Sequence, residues 1–558
     1  MSGPGYVHVA KAFRAEGVEQ VFALIGDANM HWVSEMGRDE GVRVVHALHE
    51  HAAVAMAEGY ARASGRIGVA SVTSGPGFTQ IMTALVAAVR GPTPLVVLVG
   101  DTPSNAGWAL QQIDQGPLAA ACGAHYIAVR HVDRLLDAVR DAFYVARTEK
   151  RPVVLSIPVD IQKAASPWGF DYRPSTEYAP RVQHMPAAPD MVDELVQLLA
   201  AARRPIFLAG RGALRSGAGP HIEKLAEACG GLLGTTLLAK GLFDSSPFSL
   251  GIAGAFAPAA VRELYAEADL VVAIGASLGT YTTEAGYLFP NAKVVQLDHS
   301  PRGLFQGQRT ADLHVRAGAS TGVKQVLAAL AAQRRSPAAG WRTGEVAARL
   351  AQAAAHPDPR PYEPRSGLLD PRAAMLELDR VVPKDWDVVV GGGHYFGIAL
   401  THLRGREAAR YQVINEFGVI GSTLSAAIGV ACARKSRNVM VIEGDGSLML
   451  HVQELDTLRR HGIGLLVCVV NDGGYGAEFH KLRAEGADDI QAVHGRRDFA
   501  ALARGFGLGG ATITETGRLD TLFAQHLEGP GASVWDFHVD DAIPSAAYRR
   551  VHYGEAEP

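Results

Sequence analysis

The sequence predicts an α/β protein built from three doubly wound parallel-sheet domains. Apolar runs rich in Val and Ile alternate with Ala-rich stretches, which is the pattern of βαβ units around a parallel sheet. Two Pro-rich, weakly patterned segments interrupt this alternation. The chain of 558 residues is also too long for one hydrophobic core, since a domain usually holds about 100 to 200 residues.

The first domain is predicted over residues 1–165. Its candidate elements alternate along the chain, with helices at 50–64 and 79–90 and strands at 68–73, 95–100 and 153–157. A Pro-rich stretch over residues 164–189 ends the pattern and is the first predicted linker.

Two further domains are predicted after this linker. The runs RRPIFLAGRGA and ADLVVAIGAS restart the strand pattern in a second domain over residues 190–335. A polar, Pro-punctuated segment over residues 334–371 is the second predicted linker. The runs WDVVVGGG, NVMVIEGDGS and GLLVCVVNDGG then indicate a third domain over residues 365–540.

The composition is that of a folded globular protein and excludes several functional classes. Hydrophobic residues make up 48% of the chain, and a net charge of −4 offers no broad positive field for nucleic acid or anionic membranes. No run of 18 or more apolar residues occurs, and the N-terminus lacks a basic patch followed by an apolar run, so we expect neither membrane spanning nor export. The four cysteines contain no CxxC pair, which fits a reduced, cytoplasmic location.

Two acidic residues follow neighbouring strands of the third predicted domain. Asp445 lies in the turn Gly444-Asp445-Gly446, and Asp472 follows the next strand. The carboxyl ends of parallel strands meet at one edge of the sheet, and glycines there let backbone amides approach a phosphate. The two carboxylates with a backbone carbonyl, phosphate oxygens and a water would suit Mg²⁺. Taken alone, Gly-Asp-Gly is also an ordinary turn sequence.

The spacing of these motifs resembles that of thiamine diphosphate enzymes. A GDG turn, 24 intervening residues and an Asn-Asp pair match the metal and diphosphate motif of that family, whose usual form ends in Asn-Asn. The segment HALHEHAAVAMAEGYARASG resembles the helix that activates the cofactor, and TSGPGFTQ and FGVIGSTLSAAIG are similar to segments that flank it. Together these segments identify the chain as a member of the decarboxylase and acetolactate synthase superfamily. The resemblance implies pyrimidine-binding, central and diphosphate-binding domains, in that order.

The resemblance also implies roles for individual residues. Glu50 stands at the position of the glutamate that activates the cofactor, and Ile420 at that of the apolar wedge between its rings. Without the resemblance, the two would be an exposed glutamate at a helix start and a core isoleucine. Further cofactor contacts are expected from Gly75, His394, Tyr395, Gly444, Gly446 and Ser447, and metal ligands from Asp445, Asp472 and Gly474.

Residues that would decide the reaction outcome give a mixed pattern. Asp27 lies in a GD-x-N segment like that of simple 2-oxo acid decarboxylases, in which the aspartate handles protons, but the paired histidines of those enzymes are absent near residue 112. Gln111 instead matches a glutamine that acetolactate synthases and benzaldehyde lyase use near the reacting carbonyl. For both residues a turn or solvated loop is the alternative reading.

We therefore expect a carboligase that decarboxylates a 2-oxo acid such as pyruvate and joins the acyl unit to a carbonyl acceptor. A non-ligating decarboxylase, a C–C lyase of the benzaldehyde lyase type and a catalytically degenerate regulatory subunit are the alternatives. The second domain lacks a complete GxGxxG, so FAD is not favoured there, although the resemblance leaves FAD open. For the same reason we do not expect an NAD-dependent oxidoreductase. The resemblance implies a homodimer or homotetramer.

Overall fold

Three parallel sheets of six strands each, with helices packed on them, form the described part of the molecule, and this confirms the predicted α/β class. The computed structural model describes residues 3–38, 41–165, 170–182, 184–301, 310–332, 340–529 and 531–554. Most central strands are buried along their whole length, which explains why they read as continuous apolar runs.

The first sheet has the strand order β2-β1-β3-β4-β6-β5. Its strands are β1 (Gln20–Ala23), β2 (Arg43–His46), β3 (Gly68–Val72), β4 (Leu95–Asp101), β5 (His125–Ala128) and β6 (Pro152–Pro158). Its helices are α1 (Gly5–Ala15), α2 (Met30–Arg38), α3 (Glu50–Ser64), α4 (Pro76–Thr79), α5 (Met82–Arg90), α6 (Gln115–Ala121), α7 (Leu135–Glu149) and α8 (Val159–Lys163).

The second sheet has the order β12-β11-β10-β7-β8-β9, which is the strand arrangement of dinucleotide-binding sheets. Its strands are β7 (Pro205–Ala209), β8 (Leu232–Thr235), β9 (Ser249–Ile252), β10 (Leu270–Ile274), β11 (Lys293–Asp298) and β12 (Leu313–Arg316). The helices of this part are α9 (Pro189–Ala201), α10 (Arg211–Arg215), α11 (Gly219–Cys229), α12 (Ala259–Ala266), α13 (Thr280–Thr283), α14 (Ala319–Ala332) and α15 (Gly344–Ala355).

The third sheet has the order β14-β13-β15-β16-β18-β17, so it repeats the topology of the first. Its strands are β13 (Asp387–Gly391), β14 (Tyr411–Ile414), β15 (Val439–Gly444), β16 (Leu465–Asn471), β17 (Gly509–Ile513) and β18 (Ala532–His538). Its helices are α16 (Pro371–Val381), α17 (Tyr395–His402), α18 (Thr423–Arg434), α19 (Asp445–Leu450), α20 (Glu454–His461), α21 (Gly476–Ala484), α22 (Phe499–Gly505), α23 (Leu519–Glu528) and α24 (Ala546–Val551).

Helix α15 lies inside the segment 334–371 that the sequence predicts as a linker. Leu350 and Ala353 pack into the hydrophobic core of the second sheet, with Val346 against it. Their spacing of four and three residues places them on one helical face, and the Thr343 side chain accepts a hydrogen bond from the Val346 N–H. The linker interpretation was therefore wrong for this stretch. The predicted domain boundaries stay predictions.

The first and third sheets are joined within the chain by α3 and α18. A Cβ atom on Gly59 would lie 1.9 Å from the Ala426 carbonyl oxygen, and one on Gly429 would lie 1.9 Å from that of Met56. Only glycine allows the two helix backbones to approach this closely. Arg62 pairs with Glu58 at 2.6 Å and with Glu416 at 2.7 Å, which adds a buried ion-pair network to the same contact.

Candidate active site

A cavity of ≈ 270 Å³ opens at the carboxyl ends of β13, β15 and β16. All of its lining residues belong to the third sheet and its connections. Nine of them are residues predicted from the sequence motifs: His394, Tyr395, Ile420, Gly444, Asp445, Gly446, Ser447, Asp472 and Gly474. The tertiary structure therefore brings together the predicted diphosphate and metal residues of the third domain.

Asp445 and Asp472 lie at the ends of adjacent strands. Strand β15 ends at Gly444, which is the N-cap of α19, so Asp445 occupies the first turn of that helix. The Gly473 N–H donates to Asp445 Oδ2 at 3.1 Å, and the Gly474 N–H donates to Asp472 Oδ1 at 3.3 Å. These backbone donors hold both carboxylates at one edge of the sheet.

Without a cation, the burial and mutual repulsion of these two carboxylates are unfavourable. Burial raises the pKa of Asp445 to about 6, and burial followed by repulsion from Asp445 raises the pKa of Asp472 well above its usual range. A divalent cation would remove this repulsion, so the donor set fits the predicted Mg²⁺. No group of three His, Cys, Asp or Glu side chains that could hold a metal occurs among the described residues, so substrate or cofactor oxygens would have to complete the shell.

Ile420 is held in the cavity wall by a short chain of hydrogen bonds. The Gly421 N–H donates to Ser447 Oγ at 2.8 Å, and the Ser447 hydroxyl donates to Glu443 Oε1 at 2.7 Å. Burial raises the pKa of Glu443 to about 7. Glu443 thus links the segment of the predicted wedge to the Gly-Asp-Gly turn, although sequence reasoning did not single it out.

His394 is buried beneath the C-terminal helix. Its Nε2 atom accepts a hydrogen bond from the Ser545 backbone N–H at 2.8 Å. Burial, and then the neighbouring His480, lowers the pKa of His394 well below its usual value. A Cβ atom on Gly444 would lie 2.8 Å from the neighbouring Tyr395 ring. Burial, followed by the Glu443 charge, raises the pKa of Tyr395.

The remaining predicted residues meet around Thr73 and Ser74, at the carboxyl ends of β1 and β3. Ser74 Oγ donates to Gln111 Oε1 at 3.0 Å, and a Cβ atom on Gly75 would lie 2.4 Å from the Gln111 carbonyl oxygen. Gly75 has a φ of +57°, which an L side chain rarely adopts. Glu50 and Asp27 flank the same segment.

Thr73 occupies the centre of this first-sheet cluster. A Cβ atom on Gly26, the residue before Asp27, would lie 2.7 Å from the Thr73 side chain. A Cβ atom on Gly77 would lie 2.8 Å from the Thr73 side chain and 3.7 Å from Glu50 Oε1. The Thr73 hydroxyl accepts from the Ala28 N–H at 3.2 Å. Asp27 is exposed and Glu50 is half-buried. Thr73 begins the TSGPGFTQ segment, but its contacts with Gly26 and Ala28 were missed because they join segments distant in sequence.

The structure brings the predicted residues together as two clusters rather than one. Glu50, Gly75, Gln111 and Asp27 lie at the first sheet, and none of them lines the cavity of the third. Sequence reasoning also missed Asn415, Tyr475 and Glu478 in the cavity wall, and His494, whose Nε2 lies 3.9 Å from Asp445 Oδ2. Asn415 and His494 lie outside the recognised motifs, so no local signal marks them.

Comparison with known protein families decides the membership of this chain. Three family models match it in order: the N-terminal TPP binding domain of thiamine pyrophosphate enzymes over residues 5–118, their central domain over 192–330 and their C-terminal TPP binding domain over 391–537. The chain belongs to the thiamine pyrophosphate (thiamine diphosphate) enzyme family. It is thus a thiamine diphosphate-dependent enzyme, as the sequence motifs predicted.

The chain is similar over most of its length to acetolactate synthases. It is 28% identical to the probable acetolactate synthase large subunit of Methanocaldococcus jannaschii, with 90% of this chain and 86% of that protein covered. It is 29% identical to the acetolactate synthase large subunit of Parasynechococcus marenigrum, with 96% and 87% covered. It is 28% identical to the Escherichia coli isozyme 2 large subunit, with 96% and 95% covered. The carboligase interpretation is therefore supported over the alternatives.

The second sheet has a cavity of its own. It measures ≈ 320 Å³ and is lined by residues that include Gly212, Gly275, Asp298 and Lys324. The comparisons give no support for FAD there, and its absence stays a prediction. In the part of the chain that the structure describes, no helix is both long enough and apolar enough to cross a membrane.

Proposed function

We propose that this enzyme decarboxylates a 2-oxo acid such as pyruvate and joins the acyl unit to a carbonyl acceptor, with Mg²⁺ holding the diphosphate of its cofactor. The names of the relatives as acetolactate synthases support this reaction class. The single observation that carries the proposal is the hydrogen bonding of Gln111 to Ser74 and Thr73, in the first-sheet cluster that also contains Glu50.

Gln111 is prepared to hold an acceptor carbonyl. Ser74 Oγ, and more weakly Thr73 Oγ1 at 3.5 Å, donate to its Oε1 atom. Because Oε1 faces the two hydroxyls, the Nε2 donors of Gln111 point away from them. Nε2 has no hydrogen-bond acceptor among the described residues. A glutamine in this state donates hydrogen bonds but does not deliver protons, which favours ligation over protonation of the product.

Glu50 and Ile420 are proposed to act on the cofactor. When bound, thiamine diphosphate supplies the nucleophilic carbon that attacks the substrate carbonyl. Glu50, in the first turn of α3, would hold and release the proton shared with the pyrimidine ring. Ile420 in the cavity wall would support the bent shape of the cofactor.

The third-sheet cavity is proposed to hold the diphosphate and the metal. Asp445, Asp472 and the Gly474 carbonyl would bind Mg²⁺, and Gly444, Gly446 and Ser447 would present their backbone to the phosphates. Asp472 replaces the asparagine that is usual in the family motif. It keeps an oxygen ligand, so the metal should still bind.

We further propose that the active site is completed by a second copy of the chain, in a homodimer or homotetramer. The diphosphate cavity is lined by the third sheet alone, while Glu50 and Gln111 lie at the first. Large apolar side chains are exposed beside both clusters: Ile25, Leu48, Trp108 and Leu110 at the first sheet, and Phe417, Met449, Leu450 and Tyr475 at the third. Patches of this kind are typical of subunit interfaces.

Product analysis tests the proposed reaction. Purified protein should release CO₂ from pyruvate only with thiamine diphosphate and Mg²⁺, and chromatography should show an acetolactate-type or acyloin-type product. Predominantly free aldehyde in the presence of excess acceptor would instead favour a simple decarboxylase, for which the exposed Asp27 could manage protons. No CO₂ release from any 2-oxo acid would favour a lyase or a degenerate subunit.

A further inference from the structure

The loop of the predicted wedge, residues 415–422, joins β14 to α18 beside the cofactor cavity. Asn415, Gly418 and Ile420 line the wall of that cavity. The loop backbone is left-handed at Phe417, with a φ of +70°, and again at Gly418 and Gly421. Glycine adopts such a φ readily and phenylalanine does not, so the surrounding contacts must hold Phe417 in this conformation.

Arg62 of α3 holds the start of this loop through an ion pair with Glu416. Its Nη2 atom lies 2.7 Å from Glu416 Oε1, and its Nη1 atom donates to the Val413 carbonyl oxygen at 2.9 Å. The side chains of Arg62 and Glu416 are each 11% exposed. The other carboxylate oxygen, Glu416 Oε2, accepts from the Asn415 N–H at 3.3 Å. One guanidinium therefore ties the end of β14 and the first residues of the loop to a helix of the first sheet.

A second arginine of the first sheet's helices contacts the next residue of the loop. The guanidinium of Arg90, at the end of α5, lies 4.6 Å from the centroid of the Phe417 ring. A cation over an aromatic face is attracted to it, although less strongly at an exposed position such as this one. Glu416 and Phe417 are thus both held from the first sheet, while Ile420 lies three residues later in the wall of the third-sheet cavity.

Glu58 provides an internal comparison for Glu416. Glu58 Oε1 lies 2.6 Å from the same Arg62 Nη2 atom, one helical turn earlier in α3. Among the described residues, its other hydrogen bond comes from the Thr93 hydroxyl at 3.4 Å, outside the loop. Because either carboxylate can remain paired with Arg62 when the other is removed, neither substitution leaves the buried guanidinium without a counter-charge.

We propose that Glu416 is a positioning residue: its ion pair with Arg62 holds the loop of the predicted wedge so that Ile420 keeps its place in the wall of the cofactor cavity. The part that concerns the cofactor rests on the proposed function, which assigns Ile420 the support of the bent cofactor. Without the ion pair, Phe417 is free to leave its left-handed conformation, and a change of φ there redirects the chain that carries Ile420. Glu416 is not one of the residues that line the cavity, so it acts through Ile420.

Amide hydrogen exchange of the cofactor-free protein tests the loop directly. Glu416→Gln keeps the size of the side chain and removes its charge. We expect peptides that cover residues 415–422 to exchange about tenfold faster in Glu416→Gln than in the wild type, the factor expected for one hydrogen bond between charged groups. Glu58→Gln, which removes the other carboxylate from Arg62, is the matched control and should leave this exchange within about twofold. Arg90→Met, at an exposed position, is a second variant and should raise it about threefold.

A second measurement follows the bound cofactor. Proton NMR after acid quenching gives the rate at which the C2 proton of bound thiamine diphosphate exchanges with D₂O, and calorimetry gives the affinity. We expect Glu416→Gln to slow this C2 exchange about tenfold, because the bent geometry is less well supported. The affinity should stay within about threefold, because the proposed metal and diphosphate contacts are unchanged. Glu58→Gln should change neither quantity, and circular dichroism confirms that each variant is folded.

Three outcomes overturn the inference: loop exchange that is no faster in Glu416→Gln than in Glu58→Gln, an unchanged rate of C2 exchange in Glu416→Gln, or equal losses of C2 exchange and affinity, which would indicate general damage to the domain. A wild-type protein that binds no thiamine diphosphate would contradict the proposed function instead. Exchange of the cofactor-free protein would still decide whether Glu416 holds the loop, so the two failures are distinguishable.

Discussion

His51 Nε2 lies 2.7 Å from Ser422 Oγ, which joins the first turn of α3 to the segment that follows Ile420. The His51 and His451 rings stack with centroids 5.0 Å apart in the same contact. Burial lowers the pKa of His51 to about 3, so it takes part as a neutral ring. Within one chain, the start of α3 therefore packs against the loop of the predicted wedge.

Replacing Glu50 by glutamine should leave the fold and cofactor binding intact and lower turnover by roughly a hundredfold or more, the scale of losing a positioned acid or base. Steady-state turnover of pyruvate together with calorimetric cofactor affinity checks this. Near-normal turnover in Glu50→Gln would remove Glu50 from the mechanism.

The two residues proposed to bind the metal should respond differently to substitution. Asp445→Ala removes a buried carboxylate at the strand end and should abolish Mg²⁺-dependent thiamine diphosphate binding. Asp472→Asn keeps an oxygen ligand, restores the commoner family residue and relieves the repulsion with Asp445, so it should be tolerated. Titrations with and without EDTA compare the two, and unchanged affinity in Asp445→Ala would place the metal elsewhere.

Glu443 should make the stability of the cofactor-free protein depend on pH. Its folded-state pKa of about 7 lies above the ordinary value of 4.5, so the protonated form contributes stability that is complete below pH 4.5 and is lost as the pH rises through 7. Glu443→Gln stays neutral. Its free energy of unfolding should therefore rise relative to the wild type between pH 5 and 8, by roughly 2–3 kcal/mol. Urea unfolding across this range measures it, and a constant difference would contradict the assignment.

Subunit complementation tests whether two chains build each site. Glu50→Gln and Asp445→Ala chains should each be inactive alone. If the first sheet of one chain meets the third sheet of another, mixed dimers contain one intact site, and a refolded equal mixture should regain about a quarter of wild-type activity. No regained activity, or a fully active monomer by light scattering, would place the whole site within one chain.

Gln111→Ala should reduce ligation more than decarboxylation. The variant loses the Nε2 donors proposed to hold the acceptor carbonyl, whereas CO₂ loss depends mainly on the cofactor. We expect the ratio of ligated product to free aldehyde to fall about tenfold at unchanged CO₂ release. Gln112→Ala, on the exposed neighbouring residue, is the control. An equal fall in both products would assign Gln111 to another step.

The grouping of residues at the third-sheet cavity could be predicted because these residues come from short segments. A parallel strand ends where its apolar run ends, and the residue after it must lie at the carboxyl edge of the sheet. Asp445 and Asp472 follow two such strands, which are neighbours in the third sheet. Local chemistry and chain order were therefore enough to place them side by side.

Other parts of the site could not be predicted in this way. The contact of Ser545 with His394 joins residues 151 positions apart through a backbone N–H, which has no signature in the side-chain sequence. Thr73 contacts Gly26 only because β1 and β3 are adjacent in the sheet. Helix α15 was not predicted because its flanking prolines indicated a linker, and its apolar face consists of only three residues.

The sequence by itself determined the α/β class, the three sheets and the chemical identity of both residue clusters, because strand periodicity and turn chemistry are local properties of the chain. Only the tertiary structure decided that α3 and α18 pack backbone to backbone, and that the first-sheet cluster lies outside the third-sheet cavity. Those features depend on which surfaces pack together, and packing is set by the complementarity of whole elements rather than by any one segment.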